Sequence, residues 1–340
     1  MGKPSVRKPS ATNVAKAAGV SPATVDRVLN NRGGVSAEKE RLVFEWARRL
    51  GLDRNLKSRP TRLIRIGVLI GPSSNPFYGR VAQAFARTNQ LFFAANIQCT
   101  VTFSNYFDPS ETLAQLARMR ASCDAIVMIS PEHASVSEAL IDLSRTRPVV
   151  AMVTDLPDSN RFAYVGLDNA VSGRVAGDLM GRLLGREAGD VVLVTETQAM
   201  FALRERERGF REALAERHAR RHLVEVIETS DPDRAGELLR DAIARRPAIA
   251  GVYVVSTGNR SIAGALTALG RLASTVVITH EMTPARRALL RSGAIDAIID
   301  QNPEFEAQTA VELLAHHFGR LESAPSQLTT PFTLFFRENS

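Results

Sequence analysis

From residue 63 onward, short apolar runs alternate with longer amphipathic segments, and this alternation constrains the fold more than any other feature. The apolar runs have the length of buried strands, and the segments between them have the period of helices. Such alternation predicts parallel sheets built from right-handed strand–helix–strand units. The strands are too many for one small sheet, so two lobes are predicted, with a ligand cleft at the carboxyl ends of the strands. The predicted strands are LIRIGVLIG, IQCTVTF, DAIVMIS, PVVAMVT, DVVLVTE, LVEVIETS, IAGVYVVS, TVVITH and IDAIID.

Helices are predicted between these strands. Within one of them, Gly173, Gly177 and Gly181 lie four residues apart, which predicts close packing of that helix against another. The predicted helices are NPFYGRVAQAFARTNQLFFAAN, DPSETLAQLARMR and the segments 134–145, 169–185, 203–217, 233–245, 259–270, 284–292 and 303–319.

The first 62 residues differ in charge from the rest of the 340-residue chain. They hold 14 Lys and Arg against 5 Asp and Glu, whereas the whole chain has a net charge of +7. At roughly 100–200 residues per domain, the length suggests two or three folding units. A basic first segment on a near-neutral body predicts a module that binds a polyanion, joined to a domain of another function.

Several kinds of site and location are disfavoured by the sequence. The N-terminal MGKPSVRKPSATN is followed by no apolar region, so no secretory signal is predicted. No apolar run approaches the roughly 20 residues of a membrane span, so we expect a cytoplasmic protein with no membrane partner. Cys99 and Cys123 fit neither a disulfide framework nor a metal site. No catalytic signature is present, and no cofactor or metal is predicted.

Two short helices joined by a tight turn are predicted near the N-terminus, which is the pattern of a helix-turn-helix. Ser10 or Thr12 can cap the first helix, and Gly19 can end it in a left-handed conformation. Ser21 can cap the second helix with Pro22 at its first position, which is a strong helix-start signal.

The two faces of the second helix differ in character. At about 100° per residue, Thr24, Val25 and Val28 fall on one side and are predicted to pack on the first helix. A third helix from Ser36 to about Leu50 supplies the rest of a small core. The opposite face of the second helix is predicted to face out, where its N-terminal residues can reach base edges in a major groove. That face consists of Pro22, Ala23, Asp26, Arg27 and Asn30.

The stretch NVAKAAGVSPATVDRVLNNRGGVSAEKERLV closely resembles the headpiece of the LacI/GalR family of bacterial transcription regulators. The match runs through this stretch almost without gaps, and it is far more specific than a generic helix-turn-helix. The resemblance implies binding to double-stranded operator DNA. It implies that Pro22, Ala23 and Arg27 read bases and that Ser21, Thr24 and Asn30 hold phosphates.

Asp26 departs from the family pattern, which usually has Ser at this position. A carboxylate that faces a phosphate is repelled by it, so Asp26 needs a different environment. It can orient Arg27 by pairing with it, accept a hydrogen bond from a cytosine amino group, or remain a solvated charge that lowers DNA affinity. The sequence leaves these alternatives open.

The linker behind the headpiece is a few residues shorter than the family's hinge. In that family the hinge folds into a helix on operator DNA and inserts an apolar side chain into the minor groove. A short helix ahead of Pro60 is marginal, and Leu56 is the candidate apolar wedge. The alternative to a minor-groove helix is that Lys57, Arg59 and Arg62 bind phosphates.

Polar and aromatic side chains follow several strands of the body, at the points where a cleft would open. Such groups suit a polyhydroxylated ring, because charged acceptors bind hydroxyls and aromatic faces pack against C–H groups. Each residue alone can be a helix cap or a loop residue, and only their convergence favours a ligand site. The candidates are Asn75, Phe77, Tyr78, Asp155, Arg204, Asn259, Glu281 and Gln301.

The body also resembles the type I periplasmic binding fold, especially ribose-binding-like proteins, over residues 63–320. The resemblance implies that the candidate residues contact a ligand. Leu156 stands where ribose binders keep an Arg, and Glu281 stands where they place Asp, so ribose itself is not expected. The matching segments are NPFYGRVAQAF, VTDLPDSNRFAYVGLDNAVSGRVAGDLM, RERERGF, TGNRSIAGAL, THEMTP and DQNPEFEAQTAVELL.

The sequence therefore predicts an all-α helix-turn-helix headpiece (1–54), a short hinge (55–62) and a two-lobed α/β effector-binding and dimerisation domain (63–340). We expect a homodimeric transcriptional regulator that represses from operator DNA and is controlled by a sugar, polyol or cyclitol. Two alternatives are a cytoplasmic sugar-binding protein without a regulatory role and a carbohydrate enzyme that uses Asp155 and Glu281 as an acid–base pair. The basic headpiece opposes the first alternative, and the missing nucleophile motif opposes the second.

Overall fold

The computed structural model describes residues 10–30, 32–52, 62–185, 189–196 and 199–340. The predicted hinge, with Leu56, lies outside the described residues except for Arg62. The headpiece consists of helices α1 (Ala11–Ala18), α2 (Pro22–Leu29) and α3 (Ala37–Arg49).

The ends of the headpiece helices follow the predicted capping residues. Ser10 caps α1, and Gly19 ends that helix with a φ of 65°. The Ser21 hydroxyl oxygen accepts a hydrogen bond from the Thr24 amide at 3.1 Å, and Pro22 occupies the first turn of α2. Because these caps are local interactions, the helix-turn-helix prediction is confirmed at its boundaries. The buried core contains Val14, Ala15, Ala18, Val25, Val28, Val43 and Ala47.

The first lobe is built on a parallel five-stranded sheet with the order β2-β1-β3-β4-β5. The three central strands of this sheet are almost entirely buried, as expected for a sheet that is covered on both faces, whereas its two edge strands are only partly buried. The strands are β1 (Ile64–Ile70), β2 (Ile97–Phe103), β3 (Ala125–Met128), β4 (Val149–Met152) and β5 (Ala163–Val165). The helices that connect them are α4 (Pro76–Leu91), α5 (Pro109–Ser122) and α6 (Ala134–Ser144).

The second lobe contains a six-stranded sheet with the order β11-β10-β9-β8-β6-β7, in which only β11 runs antiparallel to its neighbour. Its strands are β6 (Gly189–Thr195), β7 (Arg221–Glu228), β8 (Ile249–Val254), β9 (Val276–His280), β10 (Ala297–Asp300) and β11 (Thr333–Phe335). Its helices are α7 (Asn169–Leu183), α8 (Phe201–Arg217), α9 (Arg234–Arg245), α10 (Asn259–Ala268) and α11 (Pro284–Arg291).

Within the described chain, three segments cross between the lobes. The first leads from β5 into α7. Its Gly166 O accepts a hydrogen bond at 2.9 Å from Thr330 N, which belongs to the third crossing segment, ahead of β11. The second leads from β10 through Gln301 into helix α12 (Pro303–His317), which packs back on α4 of the first lobe. Ligands of such folds lie between the lobes, so the crossing segments border the predicted site.

The two-lobed α/β architecture confirms the predicted fold class. Strand β5 has only three residues and was not among the predicted strands, because so short a run carries no clear periodicity. The glycine prediction is confirmed where α7 meets α8. A Cβ atom on Gly173 would lie 2.0 Å from the carbonyl oxygen of Arg206, so only glycine lets the two helices approach this closely.

Candidate functional site

The outward face of α2 has the composition expected of a DNA-reading surface. Pro22, Ala23, Arg27 and Asn30 are exposed, whereas Val25 and Val28 on the opposite side are buried in the headpiece. The exposed residues near the start of the helix are those that a major groove would meet first. Thr24 is half-buried beside Ser21, and their side-chain oxygens lie 2.9 Å apart.

Asp26 pairs with a residue other than Arg27. Its carboxylate accepts a hydrogen bond from Asn30 Nδ2 at 2.6 Å and forms an ion pair with Arg32 at 3.0 Å. Adjacent residues on a helix do not face each other, whereas Asn30 lies one turn further along the same face. The suggested Asp26–Arg27 pair is therefore not formed, and Arg27 remains directed to solvent.

A cavity of about 40 Å³ lies between the lobes at the carboxyl ends of the strands. It brings together four of the eight predicted ligand contacts, namely those on the first helix of the body and on the loop after β9. Its lining residues are Asn75, Phe77, Tyr78, Val153, Thr154, Glu196, Met200, Ala202, Leu203, Arg206, Ser256 and Glu281.

Aromatic rings form the first-lobe wall of this cavity. Asn75 caps α4 by accepting a hydrogen bond from Phe77 N at 3.0 Å, and this cap fixes the start of the helix. Phe77 and Tyr78 pack edge to face with ring centroids 5.4 Å apart, and Tyr78 meets Tyr106 at 5.8 Å. A Cβ atom on Gly71 would lie within 2.3 Å of both tyrosine rings, so glycine at the end of β1 makes room for this wall.

Arg206 is the fully buried guanidinium of the cavity, and sequence reasoning missed it. It donates hydrogen bonds to Asn169 Oδ1 at 2.8 Å and to Gln301 Oε1 at 3.0 Å. Its Nη1 lies 3.9 Å from Glu281 Oε1. Arg206 thus links the start of α7, the crossing segment before α12 and the loop after β9.

Glu281 and Val153 line the cavity in strained backbone conformations. Glu281 has a φ of 65° and Val153 a φ of 67°, which is the left-handed region that side chains other than glycine rarely adopt. The Glu281 carboxylate is held by Arg286 Nη1 at 2.8 Å. Strain at the ends of two strands on opposite sides of one cavity is typical of a functional site.

Glu196 is a second carboxylate at the cavity, and it was also missed from the sequence. It accepts a hydrogen bond from the Tyr106 hydroxyl at 3.3 Å. Burial raises the pKa of Glu196, and the Glu281 charge raises that pKa further. Burial likewise raises the pKa of Tyr78, so this phenol stays protonated and able to donate.

Several buried polar atoms of residues that follow second-lobe strands lack hydrogen-bond partners within the described chain. They are Nδ2 and Oδ1 of Asn259, Nε2 of Gln301 and Oγ of Ser256. Buried polar groups in folded proteins normally have hydrogen-bond partners, so these unpartnered atoms mark places where a ligand or a water can bind. Asn259 and Gln301, both predicted from the sequence, are not among the lining residues, and Gln301 reaches the cavity through its hydrogen bond with Arg206.

Asp155 and Arg204 lie outside this cavity. Asp155 forms a two-pronged ion pair with Arg161, and the preceding residue, Thr154, lines the cavity instead. Successive residues of an extended segment point to opposite sides, so a displacement of one residue exchanges the two faces. Arg204 pairs with Glu132, and it sits about 200° around α8 from Arg206, since each residue turns a helix by about 100°.

Polar contacts hold the two lobes together around the cavity. Arg80 in α4 reaches Asp300 at 2.8 Å, and Ala202 N donates to Thr154 Oγ1 at 3.1 Å. A cavity of about 40 Å³ holds at most a few water molecules, each of which needs about 10–15 Å³ of cavity volume. A sugar-sized ligand therefore requires these contacts to open.

Two further features are absent from the described residues. No group of three or more His, Cys, Asp and Glu side chains is placed to hold a metal ion. No helix among them combines the length and the apolar character needed to span a bilayer.

Comparison with protein families gives two matches. Residues 12–55 match the family of bacterial regulatory proteins called the lacI family. Residues 66–320 match the periplasmic binding protein domain. The first match contains nearly all of α1–α3, and the second contains most of both sheets together with α12.

Individual relatives include both regulators and binding proteins. The sucrose operon repressor of Pediococcus pentosaceus is 35% identical over 120 residues, which is 34% of this chain and 35% of that protein. The HTH-type transcriptional regulator DegA of Bacillus subtilis is 27% identical over 67% of this chain and 68% of its own length. The glucose-galactose binding protein GanP of Geobacillus stearothermophilus shares the fold, with a TM-score of 0.74 at 20% identity, over 82% of this chain and 99% of that chain.

Proposed function

Because this chain belongs to the periplasmic binding protein family over most of its length and carries a lacI-family DNA-binding domain at its N-terminus, we propose that it is a transcriptional repressor controlled by a small polyhydroxylated ligand. The single observation that carries the proposal is the exposed face of α2, which presents Pro22, Ala23 and Arg27 to solvent. These residues stand where the lacI-family pattern places base contacts. Operator DNA in the cytoplasm is therefore the proposed partner.

The cavity suits a sugar, polyol or cyclitol. The Glu196 and Glu281 carboxylates accept hydrogen bonds from hydroxyl groups, and Arg206 donates them. The rings of Phe77 and Tyr78 supply flat apolar surfaces for C–H faces. Arg206 and Glu196 take the roles that the sequence had suggested for Arg204 and Asp155, and the sugar-binding protein GanP shares this fold.

Control of DNA binding requires two arrangements of the lobes. In the arrangement seen here the cavity is too small for a sugar, and contacts such as Arg80–Asp300 close it. A ligand shifts the population toward an open arrangement only as far as it binds that arrangement more tightly. We propose that the ligand acts as an inducer, by favouring an arrangement in which the headpieces fit the operator less well.

The proposed repressor is a homodimer. Leu91 and Phe93, at the end of α4, are 64% and 66% exposed, and they lie near β2, which is an edge strand of the first-lobe sheet. Exposed large apolar side chains beside an unpaired strand edge are typical of an interface between subunits. A two-fold dimer presents two copies of α2 to a pseudo-palindromic operator.

The proposal is tested by selecting binding sites for the full-length protein from random double-stranded DNA. Enrichment of a pseudo-palindromic sequence is expected. If no sequence is enriched, the alternative of a sugar-binding protein without a regulatory role is favoured. A thermal-shift screen of pentoses, hexoses, cyclitols and sugar phosphates then identifies the ligand class, since a bound ligand stabilises by mass action. Chemical turnover of a hit would indicate the enzyme alternative.

A further inference from the structure

The headpiece is joined to the body by an ion-pair network as well as by the covalent linker. Glu40 of α3 lies between Arg320 of the body, at 3.4 Å, and Arg62 at the end of the hinge, at 3.5 Å. Arg62 continues the network to Asp124 at 2.7 Å. Glu40 is the headpiece member of this set, so the network spans the boundary between the two parts of the chain.

Arg320 is buried at this contact. Its side chain is only 2% exposed, and its Nη2 donates to the Arg62 carbonyl at 3.0 Å. Removing the carboxylate from a buried guanidinium strongly destabilises the state in which it is buried, because neither water nor a partner then stabilises the charge. In the docked arrangement Arg320 is therefore a buried cation whose ion pair is completed by a headpiece carboxylate.

The backbone next to Arg320 fits the headpiece closely. Gly319 follows the C-terminal end of α12 with a φ of 68°, and a Cβ atom there would lie 3.5 Å from the Cα atom of Arg41 in α3. The left-handed turn at Gly319 ends α12 and directs Arg320 back toward Glu40. The contact thus combines a close backbone approach with an ion pair.

The same helix begins beside the ligand cavity. Gln301, just before α12, accepts a hydrogen bond from Arg206, and Glu304 in its first turn lies 3.2 Å from Arg80. With 15 residues and a rise of about 1.5 Å per residue, α12 spans about 22 Å between the cavity and the headpiece contact. A rigid helix of this length carries a displacement at one end to the other.

We propose that the C-terminal end of α12 is a docking site for α3 of the headpiece, held by the Glu40–Arg320 ion pair, through which lobe movement reaches the DNA-binding surface. The reading face of α2 stays exposed in the docked state, so docking orients the headpiece without blocking it. The regulatory consequence rests on the proposed function, whereas the docking itself does not.

The sole tryptophan of the chain, Trp46, lies in α3 and reports on the motion of the headpiece. Time-resolved fluorescence anisotropy of Trp46 in the full-length protein, without DNA or ligand, measures whether the headpiece turns with the body. A docked headpiece decays with the slow correlation time of the whole protein. The variant Glu40→Gln removes the charge at nearly constant shape, and it is expected to add a fast component.

Glu45→Gln is the matched control, because Glu45 lies on the same helix and pairs with Arg41 and Arg49 of the headpiece itself. It makes the same charge change, and it is expected to keep the slow decay of the wild type. A fast component in the wild type would overturn docking, and identical slow decays in all three proteins would overturn the claim that the Glu40–Arg320 ion pair holds the headpiece. Neither result depends on finding a ligand or an operator, so failure here is distinct from failure of the proposed function.

A second measurement tests the regulatory consequence. Glu40→Gln is expected to bind the ligand like the wild type and to lose about three-quarters or more of the ligand-dependent change in operator affinity, which typically amounts to about 5–150-fold in coupled systems. An unchanged ligand response in Glu40→Gln would show that the signal bypasses this contact.

Discussion

Arg206 in α8 donates a hydrogen bond to Gln301 at 3.0 Å, and this bond ties the second lobe to the segment that leads into α12. Both side chains are buried, and Nε2 of Gln301 has no partner within the described residues. A ligand in the cavity can therefore bind Arg206, while Gln301 moves with the crossing segment that leads into α12. Arg206 is consequently expected to matter more for ligand binding than its exposed neighbours on α8.

Replacing Arg206 by Gln is expected to weaken ligand binding about tenfold or more, because a hydrogen bond to a charged group contributes about 1.5–3 kcal/mol. The measurement is isothermal titration calorimetry with a ligand found by thermal shift. Arg204→Gln is the control, since Arg204 lies on the same helix and pairs with Glu132 outside the cavity. Loss of binding in Arg204→Gln with retention in Arg206→Gln would favour the residue suggested by the sequence.

Gly173→Ala is expected to destabilise the body by about 1–3 kcal/mol, because the added Cβ atom meets the Arg206 carbonyl oxygen at 2.0 Å. Gly264→Ala is expected to have the opposite sign. Gly264 lies within α10 with nothing within 4 Å of an added Cβ atom, and Ala favours a helix over Gly by about 0.8–1.0 kcal/mol. Urea unfolding of both variants checks the signs, and equal effects would contradict the close helix contact.

Glu306 is expected to make stability fall as the pH rises. Burial raises its pKa well above the usual range, against the opposing charges of Arg206 and Arg80. Below the ordinary carboxyl pKa both the folded and the unfolded state hold the proton, so Glu306 has no effect there. Above it the unfolded state releases the proton while the folded state keeps it, and each tenfold difference in proton affinity between the two states then costs about 1.4 kcal/mol of stability.

The variant Glu306→Gln lacks this titration, so its stability relative to the wild type is expected to increase from about pH 4 toward neutral pH. Thermal unfolding of both proteins across that range measures the difference. A constant packing effect of the amide cancels in the comparison between pH values. A difference that stays flat, or that shrinks toward neutral pH, would be inconsistent with a buried protonated carboxyl.

Arg27→Ala is expected to reduce discrimination between operator and non-operator DNA by about 1–3 kcal/mol, which is the contribution of one good base contact. Arg32→Ala is the comparison, because Arg32 is the partner of Asp26 and lies in the loop after α2. It is expected to lower the affinity for all sequences alike. Fluorescence anisotropy titrations with operator and non-operator DNA measure both effects. Unchanged discrimination in Arg27→Ala would show that Arg27 is not a base contact.

The headpiece could be predicted almost completely from the sequence, because its determinants are local. Ser10, Gly19 and Ser21 cap or end helices through contacts within a few residues, and such contacts are visible in the chain order. Asp26 was different, since its partner Arg32 comes from the loop after α2 and the sequence offered several neighbours of suitable charge.

The proposed ligand site could be predicted only in part, because a difference of one or two positions decides which side chain faces the cavity. Arg204, Arg206 and Arg208 alternate with glutamates, so residue type alone could not distinguish them. A helical signal was present nonetheless. Arg206 shares a face with the buried Ala202, Phe210 and Ala213 at helical spacing, and this pattern places its guanidinium inside.

The most direct test of a ligand-controlled repressor is the operator affinity of the full-length wild-type protein with and without a ligand shown by calorimetry to bind. We predict that saturating ligand weakens operator binding by a factor in the range of about 5–150, as coupling free energies of about 1–3 kcal/mol imply. An operator dissociation constant that is identical with and without bound ligand would contradict the claim that the cleft controls the headpiece.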